Sequence, residues 1–194
     1  YAPNAQLAIN GLVYKSEGVL LNWKLPTTLQ EYIVEAQSIS TIWLCHSCGS
    51  SNITHLGSQI NHCDICQSVE LTKIQYLEPK GFSVDISKTP VKQLSPHKMH
   101  KPEPAWIQAS GEWQDIPHDK LGKYRISPEG HIFYHVSGTN RQGYAICMDC
   151  GRADEMTESG QIPNIFLNTH FSLRLNNLGK YGECTGSIQN QNIL

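Results

Sequence analysis

The chain has 194 residues, of which 39% are hydrophobic and 16% charged, and its formal net charge is −2 at pH 7. This is ordinary globular composition. The chain is too short for a motor enzyme with accessory modules, and it has no apolar run long enough to span a membrane. We expect a soluble, cytoplasmic protein with one or two cores. The chain starts at Tyr1, not Met, and ends at Leu194 without a terminal signature. We therefore expect part of a longer protein.

The N-terminal segment, residues 1–40, is expected to form a β-hairpin subdomain. Residues 7–14 carry apolar residues on both sides of an Asn-Gly pair, which type I′ turns prefer, and so predict the hairpin. A third short strand is expected over 18–23. Residues 28–36 predict a short helix, although β-branched residues weaken it.

Six of the seven cysteines form three Cys-x-x-Cys pairs, and fourteen residues separate the first pair from the second. Zinc prefers four thiolate or imidazole ligands in a tetrahedron, and a Cys-x-x-Cys turn presents two sulfurs to one ion. Residues 41–75 therefore predict a zinc ribbon with a four-cysteine site. Its ligands are Cys45, Cys48, Cys63 and Cys66.

Two other uses of such cysteines are weighed against zinc. A disulfide framework fits poorly with an odd cysteine count and no signal peptide. Thioredoxin-like chemistry uses one Cys-x-x-Cys at the start of a helix, whereas residues 45–48 and 147–150 each follow a short apolar strand and are closed by Gly.

A third segment, residues 76–140, is expected to be rich in β-structure, with strands at 74–79 and 81–85. The stretch from 89 to 104 is rich in Pro and Lys and predicts an exposed connection. Its basic side chains are candidates for contacts with nucleic acid, although most such runs are solvated loops. The candidate lysines are Lys88, Lys92, Lys98 and Lys101.

Residues 105–109 predict another strand, and residues 123–126 and 131–136 a second hairpin across Ser-Pro-Glu-Gly. A strand over these residues would place His131 and His135 on one face, where they could bind a metal or, as we favour, face solvent. The tryptophans Trp106 and Trp113 could pack on the sheet or stack on bases, and packing is the commoner use.

The last segment, residues 141–194, carries Cys147 and Cys150 after a short strand at 143–146. Only Cys184 remains as a third thiolate, and the candidates for a fourth ligand are His170, His131, His135 and a water molecule. His170 lies between the pair and Cys184, so it needs no distant segment. The alternatives are a buried free Cys184 with an unrelated histidine, or an open catalytic zinc with His131 or Glu183 as base.

The many short strands and few helical windows predict a mainly β fold of short antiparallel strands and hairpins, with one or two zinc-ribbon or knuckle sites and few short helices. Several enzyme signatures are absent from the sequence, namely a Walker A loop, a DEAD-type box, G-x-S-x-G, H-E-x-x-H and the deaminase pattern. We therefore expect no independent enzyme activity.

Three stretches carry a resemblance to a known family. Residues 1–5 with the following hairpin, and residues 78–85, look like the region after the motor core in certain large DEAD/DEAH-box helicases. Residues 140–153, followed by His170 and Cys184, are similar to the start of the MrfA-like zinc-binding domain. That domain ends those helicases and also occurs in DISARM and Druantia anti-phage systems.

The resemblance implies a zinc-bearing C-terminal part of a DNA-dependent ATPase or its helicase-associated subunit, acting in phage defence or DNA repair. It implies Cys147, Cys150, His170 and Cys184 as ligands, and a last segment that is incomplete at Leu194. We thus expect two zinc ions and a non-catalytic module that contacts DNA or docks on a helicase motor domain or subunit. The alternatives are a pure protein-interaction module and a zinc-dependent hydrolase.

Overall fold

The computed structural model describes most of the chain in seven stretches, which are residues 2–22, 39–55, 60–92, 103–109, 111–118, 120–176 and 178–194. The helix expected over 28–36 lies outside these stretches, as do Lys98 and Lys101. No helix in the described stretches combines the length and the apolarity needed to cross a membrane.

Strands make up nearly all of the regular structure in the described residues, so the prediction of a mainly β fold is confirmed. A single 3₁₀ turn, Asn164–Phe166, is the helical element of the described stretches. The strands, numbered along the chain, are β1 (Gln6–Ile9), β2 (Leu12–Val19), β3 (Ile39–Cys45), β4 (Ser51–His55), β5 (Leu71–Leu77), β6 (Phe82–Val84), β7 (Trp106–Gln108), β8 (Gln114–Asp115), β9 (Lys123–Tyr124), β10 (His131–Phe133), β11 (Tyr144–Cys147), β12 (Ala153–Glu155), β13 (His170–Phe171), β14 (Glu183–Cys184) and β15 (Ile188–Ile193).

The chain divides into two compact units, and each is assembled from separated stretches. The terminal unit comprises Tyr1–Ile39, Tyr76–Glu103 and His135–Leu194. The ribbon unit comprises Ser40–Gln75 and Pro104–Tyr134. This division does not test the four domains expected from the sequence, which stay a prediction.

In the terminal unit, β1, β2 and β6 form a sheet with β2 in the middle. The predicted hairpin is present, and its turn residues Asn10 (φ 51°) and Gly11 (φ 76°) have the positive φ values of a type I′ turn. The third strand expected over 18–23 is wrong, because β2 continues to Val19. An irregularity in the β2–β6 register between Ser16 and Gly18 lets the long strand bend while it stays paired.

The core of the terminal unit lies around β11, which runs between β12 and β15. All four residues of β11 are fully buried, as expected for a strand covered on both faces. The end of β15 also pairs in parallel with Tyr76 and Leu77 of β5. This buried strand leads directly into the third Cys-x-x-Cys pair.

Strand β2 packs against that pair at Gly18. The Val19 N–H donates to the Gly151 carbonyl at 2.8 Å. A Cβ atom on Gly18 would overlap that carbonyl oxygen and would lie 2.5 Å from Cδ1 of Leu173. Glycine is therefore required here by close approach and not by its φ angle.

In the ribbon unit, β3 pairs with β4 as an antiparallel hairpin and also neighbours β5. The hairpin expected between residues 123–126 and 131–136 is wrong. Instead β9 pairs with β8, because a turn through Gly122 (φ 84°) closes that ladder locally. Strand β10 pairs with β7, which places Phe133 opposite Trp106 and gives the strand an aromatic cross-strand pair.

Replacing Gly18 with alanine tests the close approach of β2 to the third Cys-x-x-Cys turn. We expect Gly18→Ala to lower the free energy of unfolding by about 2 kcal/mol, since the added methyl group must push a backbone carbonyl away. Denaturant unfolding measures the change. Gly182→Ala is the matched control, because its Cβ would meet no heavy atom within 4 Å. Equal midpoints for the two variants would contradict the packing.

Candidate metal centres

The three Cys-x-x-Cys pairs share one backbone pattern. In each, the carbonyl of the first cysteine accepts a hydrogen bond from the N–H four residues later, and its own N–H donates to the carbonyl five residues later. These pairs of bonds measure 2.9 and 2.8 Å at Cys45, 2.9 and 2.8 Å at Cys63, and 2.8 and 2.8 Å at Cys147. The repeated turn directs both sulfurs of each pair to one point.

The residue four positions after the first cysteine is left-handed in all three turns. Gly49 and Gly151 occupy it with φ of 68° and 77°, but in the second pair it is Gln67, with φ 62°. A side chain in this conformation costs about 1 kcal/mol or more. The turn at Cys63 thus keeps the geometry of the others without the glycine that marks them in the sequence.

The structure brings Cys45, Cys48, Cys63 and Cys66 together in the ribbon unit, a group that we call the ribbon centre. Their sulfurs all lie within 4.8 Å of one another. The closest distances are 3.5 Å from Cys45 to Cys66 and 3.6 Å from Cys48 to Cys63. Zinc–sulfur bonds of about 2.3 Å in a tetrahedron place the sulfurs about 3.8 Å apart, so the group fits such an ion.

The terminal unit brings together Cys147, Cys150, His170 and Cys184, which we call the terminal centre. Their ligand atoms also lie within 4.8 Å of one another. Sulfur atoms of Cys147 and Cys184 are 3.7 Å apart, and Cys150 Sγ is 3.4 Å from His170 Nε2. A tetrahedral zinc ion would separate a sulfur from an imidazole nitrogen by about 3.6 Å.

Two very short strands deliver the last two ligands of the terminal centre. His170 and Cys184 lie directly opposite each other in the β13–β14 ladder. The buried His170 ring stands edge-on to Phe166, with the ring centroids 5.1 Å apart. This packing limits rotation of the imidazole and holds Nε2 towards Cys150.

The other candidates for the fourth ligand lie outside both centres. His131 is exposed at the start of β10. His135 lies beyond the end of that strand and is buried, so the shared strand face expected for the two histidines is wrong. Burial lowers the pKa of His135, although the Glu103 carboxylate acts in the opposite direction. Glu183 is an exposed neighbour of Cys184 and belongs to neither group.

In each centre the surroundings lower the pKa of one sulfur. Burial alone would raise the pKa of Cys48, but the hydroxyl and amide of Ser50 and the neighbouring cysteines lower it to about 6. The thiol of Cys147, together with the amides of Arg152 and Leu173 and the His170 ring, lowers the pKa of Cys150 to about 4 despite burial.

Four other thiols of the two centres have raised pKa values. The hydrogen bond to Cys150 and burial raise the pKa of Cys147, and burial raises the pKa of Cys184 and of Cys63. The Ser68 amide lowers the pKa of Cys66, but desolvation and three neighbouring sulfurs outweigh it and raise the pKa to about 12. A divalent cation is what allows all the sulfurs of a centre to be thiolates together.

Trp113 and Arg125 cover one side of the ribbon centre. The Trp113 Nε1–H donates to the Cys48 carbonyl at 2.9 Å, and the Arg125 guanidinium lies 4.7 Å from the Trp113 ring. Arg125 Nη1 donates to Ser50 Oγ at 2.8 Å, and that hydroxyl lies 3.1 Å from Cys48 Sγ. The sequence did not single out Arg125 or Ser50, and it offered no role at the metal for Trp113.

A buried ionic network fixes the turn of the terminal centre. Arg152, directly after that turn, donates to Asp85 at 2.5 Å and lies 3.4 Å from Glu17. Its Nε also donates to the Phe171 carbonyl at 2.6 Å. Burial alone would raise the pKa of Asp85, but Ser87 and Arg152 outweigh it and lower the pKa.

Of the lysines predicted to contact nucleic acid, Lys88 belongs to the same network. Its Nζ lies 2.8 Å from the buried Glu17 carboxylate, so part of its charge is neutralised within the protein. Lys92 is exposed.

No protein-family model, curated protein or solved structure matches the chain. What the structure establishes is a mainly β protein with two groups of four residues that could each bind a metal ion. The resemblance to helicase-associated proteins stays a prediction from short motifs.

We expect both centres to lose metal as the pH falls. Two thiols with raised pKa in each centre, Cys63 and Cys66 or Cys147 and Cys184, carry protons in the metal-free protein at neutral pH and must release them to become ligands. The logarithm of each apparent affinity should therefore rise by at least about two for each pH unit near neutrality. Competition with a chromophoric chelator at several pH values measures the slope, and a pH-independent affinity would contradict it.

Proposed function

We propose that this chain is a non-catalytic zinc-binding module whose two ions hold a β-scaffold in place for docking on a partner protein. The observation that carries the proposal is that each centre contains four soft protein ligands at tetrahedral spacing. A tetrahedral ion held by four protein ligands has no position left for water or substrate, as is typical of structural zinc.

The donor atoms support zinc over the hard cations. Seven thiolates and one imidazole make up the two centres. Calcium and magnesium take oxygen ligands, whereas tetrahedral sulfur and nitrogen sets select zinc or iron. Mixed sulfur and imidazole coordination of a single ion at the terminal centre is a common structural zinc set.

The short strand ladders also support a structural role for the ions. Several ladders are only two residues long, including β8–β9 and β13–β14. Strands this short are not stable alone. A structural zinc ion contributes on the order of ten kcal/mol of apparent binding free energy that exists only in the folded state, and each unit contains one centre.

Docking on protein is favoured by the exposed side chains of the ribbon unit. Ile107 and Ile132 are cross-strand partners on β7 and β10, yet they are 56% and 61% exposed. Exposed apolar pairs of this kind are more typical of protein contacts than of a DNA surface. The motif resemblance makes a helicase motor domain or subunit, in phage defence or DNA repair, the proposed partner. DNA contact through the lysine-rich segment is the second candidate.

Counting ions tests the proposal directly. Native mass spectrometry should find two zinc ions per chain, and elemental analysis should identify the metal. Cys48→Ser should leave one ion and destabilise the ribbon unit, whereas Cys150→Ser should leave one ion and destabilise the terminal unit. A chain that binds no metal, or whose thermal unfolding is unchanged by chelation, would overturn the proposal.

A salt series of fluorescence-anisotropy titrations separates docking from DNA contact. We do not expect the chain to bind single- or double-stranded DNA through these lysines. Changing Lys92, Lys98 and Lys101 together to Glu should therefore abolish no DNA binding. Lys88 is left unchanged, since its loss would remove one of the cations that pair with the buried Glu17 carboxylate. A control variant with Lys120, Lys123 and Lys180 changed to Glu carries the same charge change. Salt-sensitive binding lost only in the first variant would establish the DNA-contacting alternative.

A further inference from the structure

We propose that Cys66 is a modification site, at which peroxides and soft electrophiles attack the ribbon centre first and release its ion while the terminal centre stays intact. The inference rests on the proposed function, because it requires a zinc ion bound in each centre.

Exposure distinguishes Cys66 from every other ligand. Cys66 is exposed to solvent, while in the same centre Cys45 and Cys63 are fully buried and Cys48 is half-buried. In the terminal centre Cys147, Cys150 and His170 are buried and Cys184 is half-buried. The neighbour Ile65 is 52% exposed, so the chain on this side does not shield the sulfur. A reagent in solution can therefore reach Cys66 before any other ligand.

Contacts around Cys48 protect that sulfur of the ribbon centre. The Arg125 guanidinium donates to Ser50 Oγ, which leaves the Ser50 hydroxyl proton free to point at Cys48 Sγ, 3.1 Å away. A thiolate that accepts such a hydrogen bond is a weaker nucleophile, and the Trp113 ring and Arg125 restrict access to it. Geometry and hydrogen bonding thus direct attack towards Cys66.

The Cys45 thiolate is close enough to Cys66 to complete the oxidation. Cys45 Sγ lies 3.5 Å from Cys66 Sγ. The Cys66 thiolate attacks one oxygen of the peroxide, the O–O bond breaks, and a sulfenic acid and hydroxide form. The Cys45 thiolate then attacks the Cys66 sulfur, the S–S bond forms and a second hydroxide leaves. Two protons from solvent convert the hydroxides to water, so two thiolates lose two electrons and the peroxide gains them.

Loss of two of its four ligands would release the ion and loosen the ribbon unit. Cys45 and Cys63 are packed with the buried Trp43, and Ile60 and Leu71 lie against that cluster. The terminal centre is packed separately among Ala145, Met156 and Phe166. The modification would therefore act on one unit of the module.

The test uses the wild-type protein loaded with two zinc ions, treated with N-ethylmaleimide or hydrogen peroxide. Peptide mapping by mass spectrometry follows the modified sulfurs, and a chromophoric chelator follows released zinc. We expect Cys66 to react about tenfold faster than any other cysteine, in keeping with its exposure. Peroxide should release one zinc ion and link Cys45 to Cys66. First reaction at Cys184, simultaneous release of both ions, or equal rates at Cys48 and Cys66 would overturn the inference.

A pair of variants tests the protection of Cys48. Arg125→Gln should raise the labelling rate of Cys48 towards that of Cys66, whereas Lys120→Gln, which removes a positive charge from the same segment, should not. Unchanged Cys48 labelling in Arg125→Gln would remove the argument for directed attack.

The ion count before treatment separates the two proposals. A chain without zinc refutes the proposed function, and a loaded chain with uniform labelling refutes this inference alone.

Discussion

Four ligand atoms confined within 4.8 Å of one another are the constraint on which the rest of this structure depends. Thiolates at that spacing repel one another strongly in a partly buried site, and the depressed pKa of one sulfur in each centre comes with raised pKa values in its neighbours. Protonated thiols relieve this repulsion in the metal-free protein, and a bound cation relieves it while all the sulfurs are ionised. Folding and metal binding would therefore be parts of one equilibrium.

The two units satisfy that constraint with different elements. In the ribbon unit all four ligands come from two turns of the same backbone form, close in sequence. The terminal unit has one such turn, and it obtains the other two ligands from a cross-strand pair. Its turn is then fixed from outside by Gly18 and by the Arg152 network with Asp85. The second arrangement involves more of the chain and buries its ligands more completely.

The sequence predicted those structural features that depend on a few neighbouring residues. The Asn-Gly hairpin, the β-rich class and the apolar strand before Cys147 follow from turn geometry and strand propensity within a few residues. Spacing grouped the four cysteines of the ribbon centre, whereas at the terminal centre it left several candidates for the fourth ligand. His170 was favoured by its position between Cys150 and Cys184 and was implied by the resemblance. The partners of β8, β9 and β10 could not be predicted, because ladders of two or three residues carry too little alternation to specify a register.

The features that could not be predicted from the sequence depend on contacts between residues far apart in the chain. Nothing near Arg125 in the sequence indicates that its guanidinium reaches Ser50, and nothing near Arg152 indicates that it pairs with Asp85. Lys88 looks like part of a basic run until Glu17 is found beside it. Charged residues in loops have no periodicity, so only the folded chain reveals which of them are neutralised.

The opposed positions of His170 and Cys184 have a consequence for how this chain tolerates change in length. An ion bound to both residues would close the segment between them into a loop whose two ends are fixed by the metal and by the β13–β14 ladder. Leu178, near the middle of that loop, is 81% exposed. Closing a longer loop costs little extra entropy, so residues inserted there would leave the metal geometry untouched. This tip is thus the natural place to attach a label or an additional recognition segment.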